Sequence, residues 1–457
     1  MARDEFYKNK NAYEVMTDAE KKECDQFSKD YMSFLDASKT EREAVETSIQ
    51  VAKYSGFSEY RFGDKLEKGG KYYLNNRGRS VIFFVIGTEP LENGVRIAAS
   101  HIDSPRIDLK QHPLYESDDL AYFKTHYYGG IRKYQWATIP LAMHGVVVKA
   151  DGTSVKITVG ENDSDPVFYI DDLLPHLAKE QNSRSLGDGI TGEQLNILVG
   201  SIPVDKEGSA VKAGVLKILN EKYGITDEDF ISAEISLVPA FKSRYIGFDR
   251  SLIGGYGHDD RCCAYPSLRA IIEANKPVHT LFTVLADKEE VGSMGNTGMQ
   301  SEIFVDLLAT VCQQFGANFF ACKHNSKCLS ADVNAAYDPN FSGVFEKNNA
   351  CFVNHGVVLT KFTGSRGKSG TSDASAEYVG FVRRIFDNAG IVWQTGELGK
   401  VDQGGGGTVA QYIANKNIEV VDLGVAVISM HAPYEVISKA DLYMAYRAFK
   451  AFNADNA

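Results

Sequence analysis

Five short stretches of this 457-residue sequence place acids or histidines where they could hold metal ions or move protons. Ala-Ser-His101-Ile-Asp103-Ser-Pro105 sets a histidine one residue from an aspartate. That spacing is too tight for two primary ligands, but it suits an Asp103 that takes one imidazole N–H and leaves the other nitrogen for a metal. Gly257-His258-Asp259-Asp260-Arg261 precedes a helix-like stretch. The pair could cap that helix, or one carboxylate could bridge two cations while its neighbour orients the loop. In Asp287-Lys-Glu289-Glu290-Val-Gly-Ser293, adjacent acids follow an apolar run. Their side chains diverge, so one can bind metal while the other faces water as general base. Ser330-Ala-Asp332 and Met430-His431 each close an apolar run.

Each of these stretches alone has a plain reading as a turn, a cap or a core histidine. Together, His, Asp, Glu, Asp and His at successive strand ends make two nitrogen and three carboxylate ligands. That set suits paired zinc, cobalt or manganese ions.

Such residues, far apart in sequence, can meet only if a sheet gathers them. Val81–Ile86 and Val95–Ala99, which leads into His101, read as strands, as do Thr280–Ala286, Lys327–Ala331, Glu419–Leu423 and Val425–Met430. Helix-like stretches cover much of the opening 45 residues, with Phe27, Tyr31, Phe34 and Leu35 at helical spacing. Others run from Asp260 to about Glu273, from Glu302 to Phe315, and from Lys439 to Phe452. Apolar strands separated by helices predict an α/β fold: a mostly parallel sheet flanked by helices, with the binding crevice at the strands' carboxyl ends. From about 106 to 247 the texture changes to alternating segments. Gly145–Lys149 and Val155–Val159, joined by Asp151-Gly152, form a predicted hairpin, and 182–210 reads as polar loop. This block is an expected β-rich insertion, leaving 1–105 and 248–457 as the two parts of a catalytic domain. Gly404–Gly407 reads as a tight loop near a ligand.

Composition narrows the classes further. A hydrophobic share of 44% and a charged share of 24% are globular values, so extensive disorder is excluded. The net charge of −11 carries no basic run of the kind that tracks nucleic acid. Seven scattered cysteines without a Cys-x-x-Cys pair predict reduced thiols rather than a disulfide scaffold or a thiolate zinc site. No apolar run approaches the roughly 18 residues of a membrane span, and the opening MARDEFYKNK lacks a signal-peptide core. A soluble, cytoplasmic protein with no nucleic-acid or membrane partner is expected.

His-x-Asp-Ser-Pro, the Asp pair before a helix, Asp-x-Glu-Glu-Val-Gly-Ser, Ser-Ala-Asp and Met-His, over nearly the whole chain, resemble the aspartyl aminopeptidase family of dinuclear zinc exopeptidases, in a bacterial-type form. The resemblance implies an inserted domain that dimerises, and dimers that assemble into a tetrahedral dodecamer. It implies two metal ions per chain, with Asp259 bridging. His101 and Asp332 would complete one site, and Glu290 and His431 the other. Glu289 is the implied general base of a metal-activated water, and Asp103 the orienter of His101. Peptides with a free N-terminus are the implied substrates.

His176, in Leu-Pro-His176-Leu-Ala, is similar to a family histidine that enters a neighbour's site. Lys361, in a segment resembling a lysine-containing family segment, would meet an acidic side chain of the substrate; Arg366 and Lys368 are alternatives. The chain departs from the family where Gly-His-Asp259-Asp260 replaces the frequent Arg-Leu-Asp-Asn, which leaves Asp260 as an alternative bridge. It departs again where Gly404–Thr408 replaces a Cys-Gly-Ser-Thr-like pattern. Both departures bear on specificity, so an aminopeptidase of other preference, an amide deacylase and a non-catalytic scaffold stand as competing readings.

Overall fold

An apolar run such as Val81–Val85 has no polar face to offer water, so a strand built from it must be covered on both sides. The computed structural model of the protein, which describes residues 8–205 and 208–456, satisfies that demand residue by residue. Residues 1–7 of the expected helical opening and 206–207 of the expected polar loop lie outside the described residues. Strand side chains alternate between faces. Accordingly Val81, Phe83 and Val85 join one hydrophobic cluster, while Ile82, Phe84 and Ile86 join a second.

The chain divides into two compact units, Met1–Asp103 with Ser243–Met430 and Glu435–Ala457, and Ser104–Lys242 with His431–Tyr434. Among the described residues of the first unit, nine strands form one sheet. They are β1 (Ser58–Glu59), β2 (Lys71–Asn76), β3 (Ser80–Val85), β4 (Arg96–His101), β5 (Leu281–Ala286), β6 (Lys327–Ser330), β7 (Val357–Thr360), β8 (Trp393–Thr395) and β9 (Glu419–Gly424). Their spatial order is β1-β2-β3-β5-β4-β6-β9-β7-β8. The central run β5-β4-β6-β9 is wholly parallel, and antiparallel neighbours occur at β2/β3, β3/β5 and β9/β7.

Helices cover both faces. Asp18–Asp36, Glu41–Tyr54, His258–Ile272, Ala376–Asn388 and Lys439–Ala454 contribute to the first cluster, and Ile303–Gln314 and Phe319–Asn325 to the second. The first of these helices buries Phe27, Tyr31, Phe34 and Leu35, the positions expected from helical spacing, behind a Thr17/Glu20 capping box. A smaller five-stranded sheet in the same unit pairs Leu252–Gly255 with Glu435–Ser438, setting Gly255 opposite Glu435.

The second unit holds a six-stranded antiparallel sheet. Its hairpin Leu141–Val148/Ser154–Val159 turns through Asp151-Gly152, as the alternation predicts. The helix Ala210–Tyr223 in this unit was not anticipated. Val211, Val215, Ile218 and Leu219 share one face by helical spacing, but that face is covered unevenly, with Val211 buried and Ile218 exposed.

Register explains how the central sheet carries chemistry. Ala286 pairs with His101, Ser330 pairs with Ala99, and Ser330 also pairs with Asp422. Asp332, two residues beyond Ser330, therefore emerges level with His101. Gly424 sits beside it, where a Cβ would lie 1.7 Å from the Asp332 carbonyl oxygen. Gly424→Ala is expected to cost about 1–3 kcal/mol by overpacking and to lower activity by displacing Asp332. Gly380→Ala, inside the helix Ala376–Asn388 with nothing near its Cβ, should be neutral or stabilising by up to about 1 kcal/mol. Denaturant melts of the two variants check this, and equal effects would sink the steric argument.

Candidate metal centre

The parallel strands deliver their ends to one place. His101 ends β4, Asp287–Glu290 follow β5, and Asp332 follows β6. A fourth element contributes from the side: Asp259 and Asp260 begin the helix His258–Ile272 with non-helical backbone angles, and the peptide bond between them is cis. The N-cap position is Gly257 and makes no side-chain cap bond, so the aspartate pair is not spent on capping. The Asp259 N–H donates to Glu435 Oε2 at 3.1 Å, tying the pair to the smaller sheet.

Around His101 the donors crowd together. Its Nε2 lies 3.1 Å from Asp259 Oδ1 and 3.8 Å from Asp332 Oδ1. Donor atoms of His101, Asp259 and Glu290 lie within 4.8 Å of one another, as do those of His101, Glu289 and Asp332, and those of Asp259, Asp260 and Asp332. Asp103 does more than the sequence suggested. Its backbone carbonyl takes the His101 Nδ1–H at 3.0 Å, with its carboxylate at 3.4 Å. That carboxylate also accepts the N–H groups of Glu289 at 3.1 Å and Glu290 at 3.2 Å. One buried aspartate thus fixes both the tautomer of His101 and the turn bearing the acidic pair.

The electrostatics are those of a site that demands cations. Burial would push His101 down, yet Asp103, Asp259 and Asp332 hold its pKa well above the usual histidine value. Burial and the Asp332 charge push Glu289 up to about 8. Asp332 and Asp260 are raised as well, chiefly by burial. Carboxylates gathered out of water repel one another and hold protons unless positive charge is supplied. The oxygen-rich donor set with an imidazole fits divalent zinc, cobalt or manganese.

Not every expected residue joins these groups. His431 follows the strand Ala426–Ile428 through a turn with φ of 64° at His431 itself, and it belongs to the segment His431–Tyr434 of the second unit. There its Nδ1 lies 2.9 Å from the Gly130 carbonyl, which fixes the tautomer that leaves the Nε2 lone pair as a ligand atom. It is in none of the close donor groups among the described residues. His176 lies in an exposed turn of the second unit. Lys361 follows β7, which runs antiparallel to β9, so the chain there leaves the sheet away from the acid-bearing end. Its ammonium pairs with Asp373, which Lys368 also engages at 2.8 Å.

Two acids escaped the sequence reading. Asp422, inside β9, is buried and pushed up to about 7 by burial and Asp332, and it accepts the Thr408 hydroxyl at 3.1 Å. An acid within the apolar run Val420–Leu423 was the available signal. Glu435 carried none, because only strand pairing brings it to Asp259.

Behind the centre, the Tyr31 hydroxyl lies 2.7 Å from His258 Nδ1. Burial, reinforced by Arg261, pushes His258 down to about 3. The folded-state pKa is depressed below the unfolded value of about 6.5, so this ring's contribution to stability is present above pH 6.5 and lost as pH falls toward 3. At pH 5 the loss from this group is about 2 kcal/mol. His258→Asn should show a shallower acid slope of unfolding free energy than the parent; an unchanged slope would refute the assignment.

A family profile described as Aminopeptidase I zinc metalloprotease (M18) matches residues 34–453. The chain is 50% identical over 462 residues to a probable M18 family aminopeptidase 1 of Clostridium acetobutylicum, covering 99% of each. A crystal structure of an M18-family aminopeptidase from Thermotoga maritima superposes with a TM-score of 0.94 at 43% identity, covering 99% of this chain and 100% of that one. The S. cerevisiae mApe1 dodecamer structure shares the fold at 20% identity, with a TM-score of 0.77 and coverage of 94% and 97%.

Proposed function

The chain belongs to the M18 family of aminopeptidase I zinc metalloproteases, and from that premise we propose a two-metal mechanism in which Glu289 is the general base. The observation that carries the reading is the overlap of the donor groups. His101, Asp259, Asp260 and Asp332 each belong to two of the groups, so the donors form one continuous cluster, as two ions held side by side would need. In this reading Asp259 would serve both ions, His101 and Asp332 would hold one, and Glu290 would hold the other. His431 is the second ion's remaining ligand on the sequence resemblance alone. Divalent ions bound there supply Lewis-acid charge, which lowers the pKa of water to about 7.

The chain's own residues supply the rest. Asp103 holds His101 Nδ1–H and aims Nε2 at the centre, and its carboxylate holds Glu289 and Glu290 by their backbones. Glu289 takes the proton of the attacking water and returns it to the departing amine. A peptide with a free N-terminus is the substrate of this reading.

Preference for an N-terminal Asp or Glu is the finer part of the proposal, and it needs a cation in the pocket. Lys361 and Lys368 share Asp373, so with Arg366 that loop carries two net positive charges rather than three. Kinetics of metal-reconstituted protein on a panel of aminoacyl, N-acyl and C-terminal substrates test the whole reading. Cleavage of free-amine substrates alone supports it, Asp and Glu leading the panel supports the acidic preference, and turnover of N-acyl substrates alone would overturn both.

A homo-oligomer completes the proposal. Leu174, Leu177, Ile202 and Ile218 in the inserted unit are exposed apolar residues suited to burial by further copies, and the yeast relative is a dodecamer. Light scattering at twelve times the 50.3 kDa chain mass is expected, and a monomer would overturn it.

A further inference from the structure

We infer that Arg79 is a positioning residue for the proposed general base, acting through Asp287 on the turn that carries Glu289. This rests on the reading of Glu289 given above and names what holds that residue in place. The turn is costly to form: Lys288 and Ser293 adopt φ of 67° and 58°, a left-handed conformation that side-chain-bearing residues disfavour. Such a segment persists only when its surroundings hold it from several sides.

Asp103 holds it from one side, through the Glu289 and Glu290 N–H groups. The other hold begins at Asp287, which is fully buried and leaves β5 just before the turn. Its Oδ2 accepts the Thr297 hydroxyl at 2.7 Å and the Arg79 Nε–H at 3.1 Å. Arg79 stands in the turn between β2 and β3, and its Nη2 reaches the buried Glu41 at 3.1 Å. From the end of β2, Asn76 Nδ2 donates to the Asn296 carbonyl at 2.8 Å. The β2–β3 hairpin thus grips both ends of the segment 287–297, and the planar guanidinium meets the two carboxylates with two separate nitrogens held in a fixed fork, which an ammonium lacks. Asp287 and Asp103 are like charges on the two sides of the turn. Without the guanidinium between Glu41 and Asp287, one of the two holds on the turn is lost, so Glu289 loses its fixed aim while Asp103 still holds the Glu289 and Glu290 N–H groups.

The expectation is that Arg79→Ala lowers kcat about 10- to 100-fold with KM within twofold and metal content unchanged. Arg79→Lys should recover only part of the rate. Methylguanidinium added to Arg79→Ala should restore several-fold activity, whereas a merely destabilised fold would not respond to it. Thr297→Val, which keeps the ion pair and removes one hydroxyl donor, should lower kcat a few-fold and serves if Arg79→Ala fails to fold.

A double-variant cycle separates this inference from the assignment it rests on. If Arg79 works through Glu289, Arg79→Ala costs far less in a Glu289→Gln background than in the parent. Full kcat in a folded Arg79→Ala, or the same loss in both backgrounds, overturns the positioning role while a dead Glu289→Gln leaves the base standing. An active Glu289→Gln overturns the base and the positioning role together.

Discussion

Glu289→Gln is expected to reduce kcat by about 10²- to 10⁴-fold, the range that a positioned general base contributes, with KM and bound metal unchanged. The amide keeps the size and backbone contacts of the residue, so the turn held by Asp103 is preserved. What it removes is the proton acceptor. Placement marks Glu289 as that acceptor: its carboxylate stands beside His101 and Asp332, and cations bound there would favour its ionised, proton-accepting form. Glu290, in the same turn, shares a donor group with His101 and Asp259, whereas Glu289 shares one with His101 and Asp332. Turnover within tenfold of the parent, at equal metal content, would sink the assignment. Glu290→Gln is the useful comparison, since it should lose activity together with metal.

The second large effect is expected at Asp259. Asp259→Asn should lose metal and, with it, about three orders of magnitude or more in turnover, the several kcal/mol that bound cations contribute. Chelation of the parent should match that loss, and zinc should reverse it in the parent but not in the variant. Stability should move the other way. With no cation present, Asp259 lies 3.1 Å from His101 Nε2 but within a crowd of buried acids, so removing its charge relieves repulsion. The metal-free variant should therefore melt no lower than the metal-free parent, which a merely structural aspartate would not allow. The same measurements on Asp260→Asn decide which neighbour bridges. Asp260 Oδ2 faces the His101 backbone N–H at 3.4 Å, so its loss should cost less metal than the loss of Asp259. The reverse order would exchange their roles.

Most of the catalytic unit was legible in the sequence because a strand covered on both faces must be apolar throughout. Val81–Ile86 and Thr280–Ala286 could be read by inspection, and the acids interrupting or ending such runs stood out against them. The helix Ala210–Tyr223 went unread although Val211, Val215, Ile218 and Leu219 stand at helical spacing, because the alternating segments around it set the expectation of a β-rich block. Glu435 was not either, because its place depends on pairing with Gly255, 180 residues away in the chain.

Residue types and their placement at strand ends determined, without coordinates, the kind of chemistry this protein is built for: buried carboxylates and histidines that call for divalent cations. Local rules suffice there, because hydrophobic periodicity and the carboxyl-end rule act over a few residues. Tertiary structure alone decided which of these residues meet. Register set Asp332 level with His101, turned Asp103 toward two backbones as well as one imidazole, and brought Arg79 to Asp287 across 208 residues of chain. Distances of 3 to 4 Å follow from strand pairing and packing between distant segments, and no window of sequence contains them.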